Sequence, residues 1–444
     1  MSEHNWFMSL YFKPKNKMLP ELINCNGKRT PLIDIGKNEG LMMLLKESFL
    51  QNDKRPVIIF NGTHYIKQLE KLFVTRKHVE LLQNTEVAFY FLEPLTHYLK
   101  KEGRNPEYEP HILKVDNEPY EIENIRCIEL ESIGAWAEKH DIKNLMIYCT
   151  DHNCYKHYAK FYPNLTLLEE DLFTSWLCDR NTAFNTRNGN WKHELDSNLI
   201  TKKFWSGAWR YEPSRHFISA FLAGKDLIKD SNVSFYFKIS NAEMKRRMWF
   251  GWKEFKLRHP GISEVVENGN EILQNIVPLS FDVINPSAVD KDATDPEFDS
   301  KEENVNIRTS QNPRSSYNEA FCAIVHESRF TQPWPNISEK TINAMDNYRP
   351  FIMCAAPGTL QMLKDMGFKT FDKYWSEEYD DIISNKDRMV KICETIEYIN
   401  SFSVEELREM YKDMESILIH NRENFANVQR YFDKLNKKIK KSFL

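Results

Sequence analysis

The stretch from Phe321 to Lys340, reading FCAIVHESRFTQPWPNISEK, concentrates residue types that can do chemistry. An apolar run ends in Glu327 and Ser328, a loop follows, and Ser338, Glu339 and Lys340 open a helical pattern. Ligands of open α/β sheets bind beyond the carboxyl ends of strands, where helix N-termini offer N–H groups to anions. Ser338 is a good N-cap residue, and Lys340 can place an ammonium beside a diphosphate. Glu339 discriminates between ligands. A carboxylate beside a diphosphate repels it unless it turns away and accepts hydrogen bonds from ribose hydroxyls. One Lys for phosphate and one Glu for ribose describe a nucleoside diphosphate better than inorganic phosphate. The plainer reading is an ordinary helix start, because acids are favoured in the first turn in any case.

A second group lies upstream, in Trp209-Arg210-Tyr211-Glu212-Pro213-Ser214-Arg215, between an apolar run and a helical pattern. Either Arg210 or Arg215 can clamp a diphosphate through its planar guanidinium, and either can instead pair with Glu212 or serve the helix start. In the first half, the run Val87–Leu92 ends in Glu93. A carboxylate there can act as a general base on a hydroxyl nucleophile. His64, Asp151 and His152, each after an apolar run, are the other base candidates. Cys149, Asp151, His152, Cys154 and His157 suggest zinc, but no second ligand pair of matching spacing exists, and a loop leading into a helix explains them more simply. No P-loop, dinucleotide-binding glycine fingerprint, zinc-protease helix or nucleophile elbow occurs.

The order strand, Glu-Ser, loop, Ser-Glu-Lys, helix, then Pro350-Phe351-Ile352-Met353 and a Pro357-Gly358 turn resembles the donor-binding region of the α1,3-fucosyltransferases. That family has Glu-Asn followed by Thr-Glu-Lys; here Ser328 stands in place of the Asn and Ser338 in place of the Thr. The likeness covers about residues 321–360. The family also sets a Trp, a Ser and an Arg between an equivalent strand and helix, the Arg reaching the donor phosphates, and it ends a strand of the other domain in a Glu that is its catalytic base. The resemblance therefore implies Glu93 as base and Arg210, Arg215 and Lys340 on the phosphates. It further implies Glu339 on the ribose and Glu327 and Ser328 lining the sugar or ribose pocket.

These side chains need a scaffold of strands and helices. Val57–Phe60, Val87–Leu92 and Leu145–Cys149 read as buried strands, with a helix over Ile133–His140. Strands separated by helices argue for parallel sheet. Polar residues 179–198 suit a linker. A second strand–helix–strand unit follows: Lys202–Trp209, then Ser214–Leu222 closed by Gly224, then Val233–Ile239. The acidic segment 290–304 reads as a surface loop. The alternation resumes with strand Phe321–His326, helix Ser338–Asp346, strand Pro350–Cys354 and helix Thr359–Met366 ended by Gly367. Val404–Leu435 carries a helical apolar stripe.

The chain's 444 residues exceed one ordinary core, so two domains are expected. A net charge of −4 leaves no chain-wide footprint for nucleic acid, although the tail Lys434–Lys441 is basic. No basic leader precedes an apolar stretch and no apolar run approaches a membrane span, so the chain reads as cytoplasmic.

The expected fold class is α/β, with two Rossmann-like domains facing across a cleft in the GT-B manner. Residues 1–195 would form the acceptor-side domain and 196–400 the nucleotide-sugar domain, with 401–444 a C-terminal helix that packs back on the first. The resemblance implies inverting, metal-independent transfer of a sugar from a nucleoside diphosphate donor, with no cofactor besides that co-substrate. The acceptor would be a glycan or a hydroxymethylated DNA base. The alternative is a non-catalytic nucleotide-binding or assembly protein of the same shape.

Overall fold

The computed structural model describes residues 125–143, 145–149, 154–169, 195–208, 211–248, 250–277, 279, 314–327, 330–335 and 337–426, together with the backbone of five earlier strands. The chain divides into two compact units. One comprises Met1–Ile112, Glu123–Arg187 and Val428–Leu444, and the other comprises Leu113–Ile122 and Asn188–Asn427. Each contains a parallel sheet, so both have the α/β character expected from the alternating pattern.

In the first unit, β1 (Glu21–Ile23), β2 (Arg29–Ile35), β3 (Val57–Phe60), β4 (Val87–Phe91), β7 (Leu145–Cys149) and β8 (Thr166–Glu169) form a six-stranded sheet in that spatial order. Only the β1–β2 pair is antiparallel. The strands β5 (His97–Leu99) and β6 (Ile125–Cys127) form a separate antiparallel ribbon. From β2 to β8 each strand is laid on the same side of the one before it, so the winding does not reverse among the described strands. The helix α1 (Ile128–Lys139) starts earlier than the apolar pattern predicts, with Glu129 and Glu131 in its first turn, where acids suit the helix dipole. The short α2 (Cys154–Tyr158) precedes β8.

The second unit is wound differently. Its sheet runs β10 (Ser231–Phe235), β9 (Lys202–Ala208), β11 (Ala320–His326), β12 (Phe351–Cys354), all parallel. The chain steps from β9 to β10 on one side, then returns to lay β11 on the other side of β9. The strand order therefore reverses between β9 and β11, which is the point where open α/β sheets bind ligands. With right-handed crossovers, the opposite steps put α3 (Pro213–Gly224), which follows β9, and α8 (Glu339–Asp346), which follows β11, on opposite faces of the sheet.

Between β10 and β11 the chain forms α4 (Asn241–Arg247), α5 (Trp252–Arg258), α6 (Pro260–Ile276) and α7 (Arg314–Asn318). The helix α6 lies unusually close to α3. A Cβ on Gly269 would sit 1.7 Å from the Ala220 carbonyl oxygen, and one on Gly224 would sit 2.0 Å from that of Val265. Gly224 is thus the last residue of α3 and a packing contact, not the left-handed closing residue that the sequence suggests. Lys225 follows as C-cap and Asp226 takes the positive φ of 58°. Gly367 does play the closing role, with φ 86° after α9 (Thr359–Asp365). The Phe368 N–H donates to Leu363 O and the Gly367 N–H to Lys364 O, a Schellman arrangement.

The C-terminal helical stripe is broken into α11 (Val404–Asp413) and α12 (Glu415–Ala426), after α10 (Asn385–Asn400). Both belong to the second unit. Tyr411 donates to Tyr348 O at 2.8 Å, Arg422 pairs with Asp346 of α8 at 2.8 Å, and Asn421 bonds the backbone of Lys369 in both directions. Of the expected linker 179–198, residues up to 194 lie outside the described residues, and its end runs into a short 3-10 helix at Ser197–Leu199 capped by Asp196. The acidic segment 290–304 and the tail beyond 426 also lie outside the described residues.

Candidate functional site at the strand-order reversal

The strands β9, β10 and β11 and the helix α3 that follows β9 carry several buried polar groups. Ser206, Ser214, Arg215, His216, Ser219, Ser234, His326 and Glu327 are all buried. A strand wholly buried on both faces ordinarily reads as continuous apolar residues, and unpaired polar groups there are costly. Ser206 and His326 share one face of the sheet, since Ser206 pairs with Ile324 in register and side chains alternate along a strand. Their side chains meet: His326 Nε2 lies 2.9 Å from Ser206 Oγ. Gly207 is dictated by the opposite face, where a Cβ would come 2.6 Å from the Trp205 indole, itself stacked on Tyr317 at 3.9 Å.

Arg215 is the third residue of α3, after Pro213 at the first helical position, and it is 4% exposed. Lys340 is the second residue of α8 and is half-buried. Both cations act on His326. Burial first, then the charges of Arg215 and Lys340, push its pKa down from the usual imidazole value to about 3, so the ring is neutral. Two helix beginnings on opposite faces of the sheet thus direct positive charge at one histidine at the reversal point.

The helix α8 is held by Glu327. Its carboxylate accepts from the Ser338 backbone N–H at 3.0 Å, the Ser338 hydroxyl at 2.5 Å and the Thr341 hydroxyl at 2.6 Å. Ser338 is the N-cap, and its oxygen accepts from the Lys340 N–H at 3.4 Å and the Lys340 ammonium at 3.1 Å. A carboxylate at a helix N-terminus supplies the negative charge that the dipole favours. Glu327 therefore sets the angle at which α8 presents Lys340. Asp380 does the same for α9, accepting from Leu360 N and Gln361 N at 2.9 and 3.0 Å. At α3, the N-cap residue Glu212 makes no side-chain cap bond.

The loop between β11 and α8 is anchored by Arg388 of α10. Its buried guanidinium donates to the carbonyls of Phe330, Ala355, Ile382 and Ile383 and to the Asn385 side chain. It also lies 4.4 Å from the Phe330 ring centroid. One fixed cation thereby ties the loop to the end of β12.

Of the residues singled out in the sequence, Arg215, Glu327, Ser338 and Lys340 come together at this end of the sheet. Glu339 opens α8, with its side chain outside the described set. Arg210, Ser328, Glu93, His64, Asp151 and His152 lie outside the described residues. In the cysteine–histidine cluster, His157 Nε2 meets the Ile125 carbonyl at 3.0 Å, and Cys149 and Cys154 are buried. Among the described residues no group of three His, Cys, Asp or Glu is placed to hold a metal ion, and no helix is long and apolar enough to cross a membrane.

Sequence reasoning missed His326 and Ser206. The available signal was a polar residue inside each of two otherwise buried runs. A surface cavity of about 360 Å³ lies elsewhere in the unit, lined by Tyr374, Trp375, Lys391, Glu394 and Tyr398 among others, and none of the site residues borders it.

No protein-family model matches the sequence, and no curated protein matches it. A solved structure of an α,α-trehalose-phosphate synthase (UDP-forming) from Burkholderia vietnamiensis is similar over 91% of this chain and 79% of that chain, at 8% identity and a TM-score of 0.39.

Proposed function

We propose that the second unit binds the diphosphate of a nucleotide sugar and that the protein is a glycosyltransferase. The observation that carries this is the pair Arg215 and Lys340, contributed by the helices after β9 and β11 and both bearing on His326 at the strand-order reversal. A pyrophosphate gains charge as the glycosidic bond to it breaks, and fixed cations in a water-poor site favour that development. Arg215 and Lys340, with Arg210, hold the phosphates. Glu339 takes the ribose hydroxyls and Ser328 borders the sugar. Glu327 orients α8. Glu93 removes the proton from the acceptor hydroxyl, giving inverting, metal-independent transfer to a glycan or to a hydroxymethylated base in DNA.

A thermal-shift screen tests the donor half, because a ligand that binds only the native state raises the melting temperature. Stabilisation by one of UDP, GDP or ADP and not by NAD is expected; no response to any nucleoside diphosphate would sink the reading. Hydrolysis of the matching nucleotide sugar should vanish in Glu93→Gln while nucleoside diphosphate binding persists. Unchanged hydrolysis would remove Glu93 from the mechanism.

A further inference from the structure

His326 has two ring nitrogens, and only one has a partner. Nε2 meets Ser206 Oγ, whereas Nδ1, in a side chain 2% exposed, has no hydrogen-bond partner among the described residues. The hydrogen count selects the tautomer. The Ser206 hydroxyl is fully buried and makes no other hydrogen bond among the described residues. If Nε2 carried the proton, the Ser206 hydrogen would be left buried with no acceptor, as well as Nδ1 without a donor. Each such loss is costly. If Ser206 donates to Nε2 instead, the hydroxyl is satisfied and the ring proton sits on Nδ1. Only one polar group then lacks a partner, and it is a donor.

That donor stands where Arg215 and Lys340 both exert their charge. A neutral N–H adds no repulsion to two cations, whereas an imidazolium would. We infer that Nδ1–H of His326 is a third donor to the ligand oxygen attracted by Arg215 and Lys340, and that Ser206 is a positioning residue that fixes the ring in this tautomer. The ligand chemistry is a phosphate oxygen of a pyrophosphate. The inference rests on the diphosphate reading above and adds the group that reads the oxygen's direction, since the two cations supply charge and the N–H supplies a fixed line of approach.

Two measurements test it. In protein labelled with 15N-histidine and free of ligand, the His326 ring should show a protonated Nδ1 and an unprotonated Nε2, the resonance being assigned by its loss in His326→Asn. A protonated Nε2 would overturn the assignment whatever the protein binds. In calorimetric titrations with inorganic pyrophosphate, UDP and GDP, His326→Phe should bind the best probe about tenfold more weakly, as expected for one lost hydrogen bond to a charged group. His326→Asn, whose amide N–H stands near the Nδ1 position, should stay within about threefold of wild type if it replaces that donor. Nucleoside diphosphate binding that is unchanged in His326→Phe would overturn the inference and leave the nucleotide reading intact. Binding of pyrophosphate but of no nucleoside diphosphate, weakened in His326→Phe, would do the reverse.

Discussion

Acid should unfold the second unit through two histidines, by an amount that follows from their burial. His326 has its pKa pushed down to about 3 by burial and then by Arg215 and Lys340. His216, fully buried at the start of α3, is pushed down to about 4 by burial, with Arg247 adding to the effect and its bond to Asn270 opposing it. In the unfolded chain both rings titrate near about 6.5. The sign follows from proton counting. Above the unfolded pKa both states are neutral and pH has no effect through these groups. Below it the unfolded chain takes up a proton that the folded chain refuses, so stability falls as pH drops, until the folded pKa is reached. At pH 5 each ring is about 1.5 units below its unfolded pKa, which corresponds to about 2 kcal/mol per histidine. Hydrogen exchange of the amides of β9 to β12 reports this unit by itself. The readout is a difference: wild type minus His326→Asn, measured at pH 7.5 and again at pH 5. Glu377 and Asp380, whose pKa values burial raises, contribute with the opposite sign as pH falls and cancel in that difference. The advantage of wild type over the variant should shrink by about 2 kcal/mol. A pH-independent difference would refute a neutral buried imidazole at this position.

Two further outcomes follow from contacts that position the cations. Gly269→Ala would drive a methyl group into the Ala220 carbonyl across the α3–α6 contact, and should destabilise the second unit by about 3 kcal/mol or more in chemical denaturation; a loss below about 1 kcal/mol would mean the helices separate easily. Glu327→Ala leaves the Ser338 N–H and the Ser338 and Thr341 hydroxyls without their acceptor, and should lower stability by about 3 kcal/mol, with faster hydrogen exchange in α8. Weaker pyrophosphate binding at unchanged stability would instead make Glu327 a ligand contact.

Much of this scaffold was legible because its strands are short apolar runs between turn residues. Val57–Phe60, Leu145–Cys149 and the run ending at His326 stand where the pattern puts them. Their ends were less legible. The run Val233–Ile239 looks like one strand, but sheet pairing covers Ser231–Phe235, and Phe235 then bridges to Leu279, a partner that no local pattern reveals. Nothing in the sequence reading assigned α6, whose centre carries Gly269 and Asn270. Both residues weaken a helical signal in isolation, yet here each is required by a neighbour: Gly269 by the Ala220 carbonyl and Asn270 by His216, at 2.6 Å. Local propensity and tertiary demand conflict at that point, and tertiary demand wins.

The site shows the same division between what is local and what is not. Ser-Glu-Lys as a helix start is a local pattern, and Ser338 does cap α8. The acceptor that secures it, Glu327, lies eleven residues earlier, and sequence alone cannot say whether such a carboxylate faces a ligand or the next helix. His326 and Ser206 are 120 residues apart; only the register of β9 on β11 brings them together. A serine in one buried run and a histidine in another each look like a minor blemish in a strand. Placed on the same face at the strand-order reversal, they meet at 2.9 Å. The reversal itself comes from where the chain lays β11, a choice of topology that no motif encodes. For that reason the residues most specific to this site are the ones that motif reading passes over, and polar residues inside otherwise apolar runs are the better guide to it.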